Sequence, residues 1–199
     1  MRPRLDIPAH KSGIEEPRRR RFATMLSLTG EQLDELFRSR WRRAFHLELQ
    51  DTYAVPGEYE PVRQFLAGEP EDGAWQRPWL DLVREITDTG KLVQRVRVVT
   101  EPHTDYTRWA VSVSPRNIAS GEEIRWLPRH TIGSATLTAD DFWLFDDHLA
   151  AFSVFTPDGE GAGFAVTTDP VIAAHFRTVR DRVWPVAIPH DEYARAVRQ

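Results

Sequence analysis

LVQRVRVV (Leu92–Val99), DYTRWAVSV (Asp105–Val113) and EIRWL (Glu123–Leu127) follow one another with short breaks between them. The first block alternates valine with glutamine or arginine, the period of a β-strand. The second is expected to be helical, Gly121 ends that region, and the third reads as another strand. Strand, helix, strand in this order points to a βαβ unit. The chain is therefore expected to be α/β in the mixed α+β sense. It should form a single domain over residues 23–199, with a mixed central sheet of five to seven strands covered by helices.

Upstream, Thr29-Gly-Glu-Gln32 is a capping box that opens a helix. Leu33, Leu36, Phe37, Trp41, Ala44 and Phe45 continue at helical spacing, opposite Arg38, Arg40, Arg42 and Arg43. FHLELQDTY (Phe45–Tyr53) then alternates and reads as a half-buried strand, with Phe45, Leu47 and Leu49 inward and His46, Glu48 and Gln50 outward. A turn at Ala54–Gly57 leads to a short helix over Glu58–Ala67, with Val62, Phe65 and Leu66 inward and Gly68 as its stop. Pro78 suits the first turn of a helix with the stripe Trp79, Leu82, Val83 and Ile86, ending at Gly90.

Downstream, DFWLFDD (Asp141–Asp147) reads as a strand that turns at Asp146-Asp147-His148. Leu149–Phe155 returns as its partner, Pro157-Asp158-Gly159 turns again, and Gly163–Thr167 completes a meander. Asp169-Pro170 caps a helix running to about Trp184. Ala187–Pro189 is extended and Glu192–Val197 closes the chain as a short helix.

The 199 residues suit one good-sized domain. Hydrophobic residues at 41%, with seven Trp and ten Phe, supply a real core. The absence of cysteine excludes disulfides, thiol catalysis and cysteine-ligated metal. No apolar run reaches membrane-spanning length, and the N-terminus lacks the apolar core of a secretory signal, so a cytoplasmic location is expected. Residues 1–21 hold seven Lys/Arg against three acids, which leaves the body net acidic within a total charge of −4. That balance argues against direct nucleic-acid binding. Pro3, Pro8, Gly13 and Pro17, without apolar periodicity, mark residues 1–22 as a flexible basic tail, with the Arg18–Arg21 run solvated.

Arginines inside strands carry the chemistry. Arg95 and Arg97 share one strand face. If the two βαβ strands are neighbours, Arg97 and Arg125 are expected on the same side. Arg129 would then lie just past the strand end, where ligands of open α/β sheets bind. Guanidinium groups there suit a phosphate or carboxylate. Tyr106 and Trp126 would supply flat walls. The candidate ligand-binding set is Arg95, Arg97, Asp105, Tyr106, Arg108, Arg125, Trp126, Arg129 and Asp141. The alternative is a purely structural network in which the arginines pair with Glu101, Asp105, Glu123 or Asp141.

Other chemistries find little support. Asp140, Asp141, Asp146, Asp147 and Asp169 match no metal-loop spacing, and Asp146-Asp147 suits a turn, so no metal and no cofactor are expected. The seven histidines show no zinc spacing. His103 and His130, which flank the polar blocks, are the ones to test as acid/base groups. There is no G-x-S-x-G elbow and no glycine-rich phosphate loop.

Several blocks carry a resemblance: RVRVV (Arg95–Val99), TDYTR (Thr104–Arg108), GEEIRWLPR (Gly121–Arg129) and DFWLFDD, with YAVP (Tyr53–Pro56) upstream and WPVAIP (Trp184–Pro189) at the end. Together they resemble an uncharacterised actinobacterial family labelled only as a domain of unknown function, over roughly Leu36 to Tyr193. Members often sit beside genes for helix-turn-helix regulators, which implies a regulatory context. A weaker resemblance is to phospholipase D-like domains, including degenerate ones that sense effectors in transcription regulators. Gly121, Arg125, Leu127, Asp146, Asp169-Pro170, Trp184, Ala187 and Pro189 occur in that order here. The resemblance implies a phospholipase D-like half sheet. Its catalytic His-x-Lys-x4-Asp is absent: counting back from Asp146 gives Ala139 and Asp141, and from Asp147 gives Asp140 and Phe142.

The expectation is a non-catalytic domain that binds an anionic small molecule or a small regulatory protein. One alternative is a motif-less transferase or lyase acting on an anionic metabolite, with Asp105, Tyr106, His103 or Asp141 moving protons. Another is a toxin–antitoxin-like partner protein. The sequence specifies neither the ligand nor the oligomeric state.

Overall fold

Residues 26–28, 30–156 and 161–197 are described by a computed structural model. In chain order the elements are β1 (Leu26–Leu28), α1 (Gly30–Arg38), β2 (Arg43–Glu48), α2 (Tyr59–Ala67), α3 (Arg77–Thr87), β3 (Leu92–Val99) and α4 (Asp105–Ala119). After them come β4 (Glu122–Pro128), β5 (Phe142–Phe145), β6 (Leu149–Phe155), β7 (Gly161–Thr167), α5 (Pro170–Val183), β8 (Ile188–Pro189) and α6 (His190–Ala196). The expected tail over 1–22, the Thr29 cap and the Pro157–Gly159 turn lie outside the described residues. No helix among the described residues is long and apolar enough to cross a membrane.

The βαβ unit is realised as β3–α4–β4, and β2, β3 and β4 run parallel. The remaining pairs are antiparallel, giving one mixed sheet in the order β1-β7-β6-β5-β2-β3-β4-β8. Among the described residues it has eight strands, the expected five to seven enlarged at the edges. The difference comes from its two edges, three-residue β1 and two-residue β8, which are too short to leave an alternating pattern.

Alternation in the central strands sorts side chains onto two faces. On one face Phe45, Leu47, Val96, Val98, Leu127, Phe142 and Leu144 are buried under Phe176, Val179 and Val183 of α5. On the other, Ala44, Val93, Trp143 and Phe145 lie under Leu33, Phe37, Leu82 and Ile86 of α1 and α3. Farther along that face, Ile124 and Trp126 lie under α4 and α6 through Trp109, Ala110 and Tyr193. Phe37 sits among Trp143, Trp79 and Phe145 at centroid distances of 4.8, 5.3 and 5.3 Å, all edge-to-face. Fully burying each such ring is worth roughly 1.5–3 kcal/mol.

Three local expectations are corrected. The first helix stops at Arg38, although apolar spacing continues to Phe45; Trp41, Ala44 and Phe45 are buried by the sheet instead. Lys91 Nζ satisfies the helix's last carbonyls by donating to Ser39 O at 2.7 Å and Phe37 O at 3.2 Å. β2 is buried on both faces rather than half-buried, since α5 covers one face and α1 and α3 cover the other. Leu66 is exposed, not inward. α4 runs to Ala119 with Pro115 inside it and ends just before Gly121, as expected.

The Asp146-Asp147 turn forms as expected, with both residues at positive φ (45° and 65°). The Asp146 carboxylate accepts N–H bonds from Arg42 and Arg43 at 2.9 Å, tying this hairpin to the start of β2. At the α4–β4 junction Gly121 has φ +101°. A β-carbon there would lie 2.4 Å from Thr87 Oγ1, so the junction requires glycine for space as well as conformation.

Candidate functional site

Alternation places His46 and Glu48 of β2, Arg95 and Arg97 of β3, Glu122 and Trp126 of β4, and Trp143 of β5 on the sheet face away from α5. β2 and β3 are in register as His46 opposite Arg95 and Glu48 opposite Arg97. A cation and a carboxylate thus meet side by side in the sheet interior. Glu48 Oε1 accepts from Arg95 Nη1, and its Oε2 lies 2.9 Å from Arg97 Nη1. Arg95 Nε donates to Glu122 Oε1 at 2.6 Å. Glu122 is 1% exposed and also accepts from Asn117 Nδ2 at 2.8 Å and Trp79 Nε1 at 3.2 Å. Burial alone would disfavour charge on Arg95; Glu122 and Glu48 outweigh it and hold its pKa above the ordinary value. Arg97 follows the same balance, with Glu48 as its main partner.

This network floors a cavity of about 400 Å³ lined by His46, Glu48, Tyr53, Glu58, Arg95, Arg97, Tyr106, Asp141, Trp143 and Phe164, among others. A neighbouring lobe shares Val55, Glu58, Arg95, Arg97, Trp143 and Phe164 and extends toward Trp75, Trp79 and Trp109. The volume is in the range of small-molecule sites. Tyr53 OH donates to Asp141 Oδ2 at 2.5 Å, and Leu49 N–H to Asp141 Oδ1 at 2.8 Å. Tyr106 OH donates to Glu58 Oε2 at 2.7 Å. Burial pushes the Asp141 carboxyl up to about 6, against the opposing pull of the Tyr53 hydrogen bond. Burial likewise raises Glu58. Both tyrosines are held above the ordinary phenol value, first by burial and then by neighbouring carboxylates.

His46 stacks on Trp143 with centroids 4.1 Å apart and planes 12° from parallel. Burial, with Arg95 and Arg97 close by, lowers its pKa well below the usual value, so the ring is neutral near pH 7. Neither ring nitrogen has a hydrogen-bond partner among the described residues; Glu48 Oε1 lies 3.4 Å from Nδ1.

The structure separates several residues that the sequence grouped. Val96 pairs with Arg125 and Arg97 with Trp126, so Arg97 and Arg125 point to opposite faces. Arg125 lies on the α5 side, donating to Trp184 O at 3.0 Å with its guanidinium 4.1 Å from the Trp184 ring. Arg129 caps strand ends, donating to Leu49 O and, at 3.3 Å, to Val98 O. Asp105 and Arg108 form an exposed pair within one turn of α4 at 2.5 Å. Trp126 is fully buried, stacked on Tyr193 at 5.4 Å, with the Arg97 guanidinium 5.7 Å from its ring. Arg95, Arg97, Tyr106 and Asp141 therefore meet in one cavity, whereas Asp105, Arg108, Arg125 and Arg129 do not line it.

The suggested carboxylate partners are different too. Arg95 and Arg97 pair with Glu48 and Glu122 rather than with Glu101, Asp105, Glu123 or Asp141. Of the histidines singled out, His103 borders a separate groove and lies 2.9 Å from Tyr193 OH, while His130 is exposed and 3.7 Å from Glu101. The cavity's remaining polar groups, His46, Glu48, Tyr53 and Glu58, escaped sequence reasoning. Their signal was present in the alternation of β2, which sets His46 and Glu48 on one side; reading that side as solvent-facing hid it.

No curated protein matches the chain. A family described as Domain of unknown function (DUF6879) matches residues 31–195, a span that takes in every residue of the cavity. With nearly the whole described sheet inside that match, the chain belongs to the DUF6879 family.

Proposed function

We propose that this domain is a non-catalytic small-molecule-binding module whose ligand occupies the cavity between the sheet and the 49–58 segment. The observation that carries the reading is the roughly 400 Å³ cavity over the buried charge network of Glu48, Arg95, Arg97 and Glu122. Ion pairs that only fix a fold are normally packed solid, because empty space beside buried charge forfeits both contacts and solvation. Here aromatic walls and several polar groups surround space instead. The resemblance to a family found beside helix-turn-helix regulators, and the weaker one to degenerate phospholipase D-like sensors, supports a sensing role in a regulatory setting.

The test compares wild type with Ser153→Phe, which fills the cavity from β6. A library of small amines, acids and neutral heterocycles is screened by thermal shift against both proteins, with circular dichroism to check that the variant folds. At least one compound should stabilise wild type and leave the variant unmoved. A library in which no compound separates the two proteins would overturn the reading. An acid–base enzyme is the second reading, favoured by a neutral His46 and an Asp141 carboxyl near 6 facing one cavity. Turnover of a bound compound, abolished in Asp141→Asn, would move the assignment there.

A further inference from the structure

We infer that the cavity is built for an organic cation, an ammonium on a short aromatic or aliphatic stem, rather than for an anion. The inference rests on the binding reading above and deepens it. Counting arginines suggests an anion site, but their charges are already matched. Glu48 serves Arg95 and Arg97, and Glu122 serves Arg95. The two arginines face two carboxylates, so an anion that reached Arg97, whose Nε has no hydrogen-bond partner among the described residues, would bring an excess negative charge beside Glu48.

The unmatched groups are of the other sign. Glu58, just before α2, and Asp141, just before β5, line the same cavity from separate segments. Each is held by a tyrosine hydroxyl, and Asp141 also by a backbone N–H. Among the described residues neither has a Lys, Arg or His within ion-pair distance. A ligand ammonium would supply the missing counter-charge in a site where burial now favours protonation of both.

Three further observations agree. His46, 9% exposed and neutral, lines the cavity with its ring nitrogens unpartnered and offers one acceptor lone pair to an N–H. Tyr53, Tyr106 and Phe164 line the cavity, and aromatic rings of this kind attract a cation placed over them. No group of three or more His, Asp or Glu among the described residues is arranged to hold a metal ion, and the aromatic lining suits the stem of an organic cation. The charged and titratable groups facing the site are His46 and Glu48 from β2, Arg95 and Arg97 from β3, Tyr106 from α4, and Tyr53, Glu58 and Asp141 from the loops, with Asp34 of α1 on the neighbouring lobe.

The experiment is calorimetric titration of three matched probes: phenethylamine, 3-phenylpropionamide and 3-phenylpropionate. Near about pH 7.5 the amine should bind at least about tenfold tighter than either of the others. Its affinity should fall about tenfold near about pH 5, below the value of about 6 to which burial raises the Asp141 carboxyl. Near about pH 6, buffers of different ionisation heat should reveal proton release on binding. The double substitution Glu58→Gln with Asp141→Asn, checked for folding by circular dichroism, should erase the amine preference. 3-Phenylpropionate binding as tightly as the amine, or an amine preference that survives the double substitution, overturns the inference. If none of the three binds while another compound is excluded by Ser153→Phe, the cation inference fails and the binding reading stands. If no compound distinguishes the filled cavity, both fail.

Discussion

Replacing Arg95 with methionine tests whether the buried network is held together as described. The substitution keeps most of the side-chain volume and removes the guanidinium between Glu48 and Glu122. Glu48 retains Arg97. Glu122, whose side chain has 0% exposure, loses its only ion-pair partner among the described residues. Breaking a buried pair by removing one member costs roughly 3–5 kcal/mol. Asn117 and Trp79 still donate to Glu122, which puts the expected loss near the lower end, about 3 kcal/mol. At roughly 2–4 °C per kcal/mol for a chain of this size, Tm should drop about 6–12 °C. Adding Glu122→Gln should return about 2 kcal/mol, because a neutral amide is far cheaper to bury than an orphaned carboxylate. Urea unfolding near neutral pH, followed by circular dichroism, measures all four corners of the cycle. A single-variant loss under about 1 kcal/mol would refute the reasoning, as would a second substitution that destabilises the Arg95→Met background further.

Three other outcomes are expected. The Asp141 carboxyl, raised to about 6 by burial, holds its proton more tightly folded than unfolded, where about 3.9 applies. Its contribution is therefore full below about pH 4 and is lost as pH rises through about 6, so the stability of wild type minus that of Asp141→Asn should fall by about 3 kcal/mol over that window; a pH-independent difference would count against it. His46→Phe keeps the stack on Trp143 and removes two unpartnered nitrogens, so its stability should lie within about 1 kcal/mol of wild type, and a loss above about 2 kcal/mol in urea titration would mean those nitrogens are bonded. Gly121→Ala should lose at least about 1–3 kcal/mol, since φ is +101° and Thr87 stands in the way; an unchanged Tm would contradict this geometry.

The βαβ unit, the Asp146-Asp147 hairpin and the Asp169-capped helix α5 were legible because each rests on short-range signals: period-2 alternation, a turn pair, and a cap followed by proline. Asp169 Oδ1 does accept from Val171 N at 2.8 Å and Ile172 N at 3.3 Å. The short edge strands were not legible, because three- and two-residue segments gain their identity only from a neighbour. The site was half legible. Arg95 and Arg97 were found by the oddity of charge in a strand, but their partner Glu48 depends on β2 lying beside β3, a long-range pairing. Arg125 failed for a related reason: which face it takes depends on the β3–β4 register, and that register puts it opposite Val96.

The Arg95–Glu122 link also has a consequence for how the chain finds its arrangement. Valine-rich parallel strands can slide past one another at little cost, because one branched aliphatic resembles the next. Moving β4 by a single residue would turn Glu122 and Trp126 to the α5 side and bring Glu123 and Arg125 round opposite Arg95 and Arg97, setting two like charges against each other where Trp126 now lies. The ionic lock, together with Trp126 beside Arg97, thus favours the observed alignment over its neighbours. A variant carrying aliphatic residues at both positions should gain freedom to misalign even where it gains stability, visible as doubled or broadened amide resonances along β3 and β4.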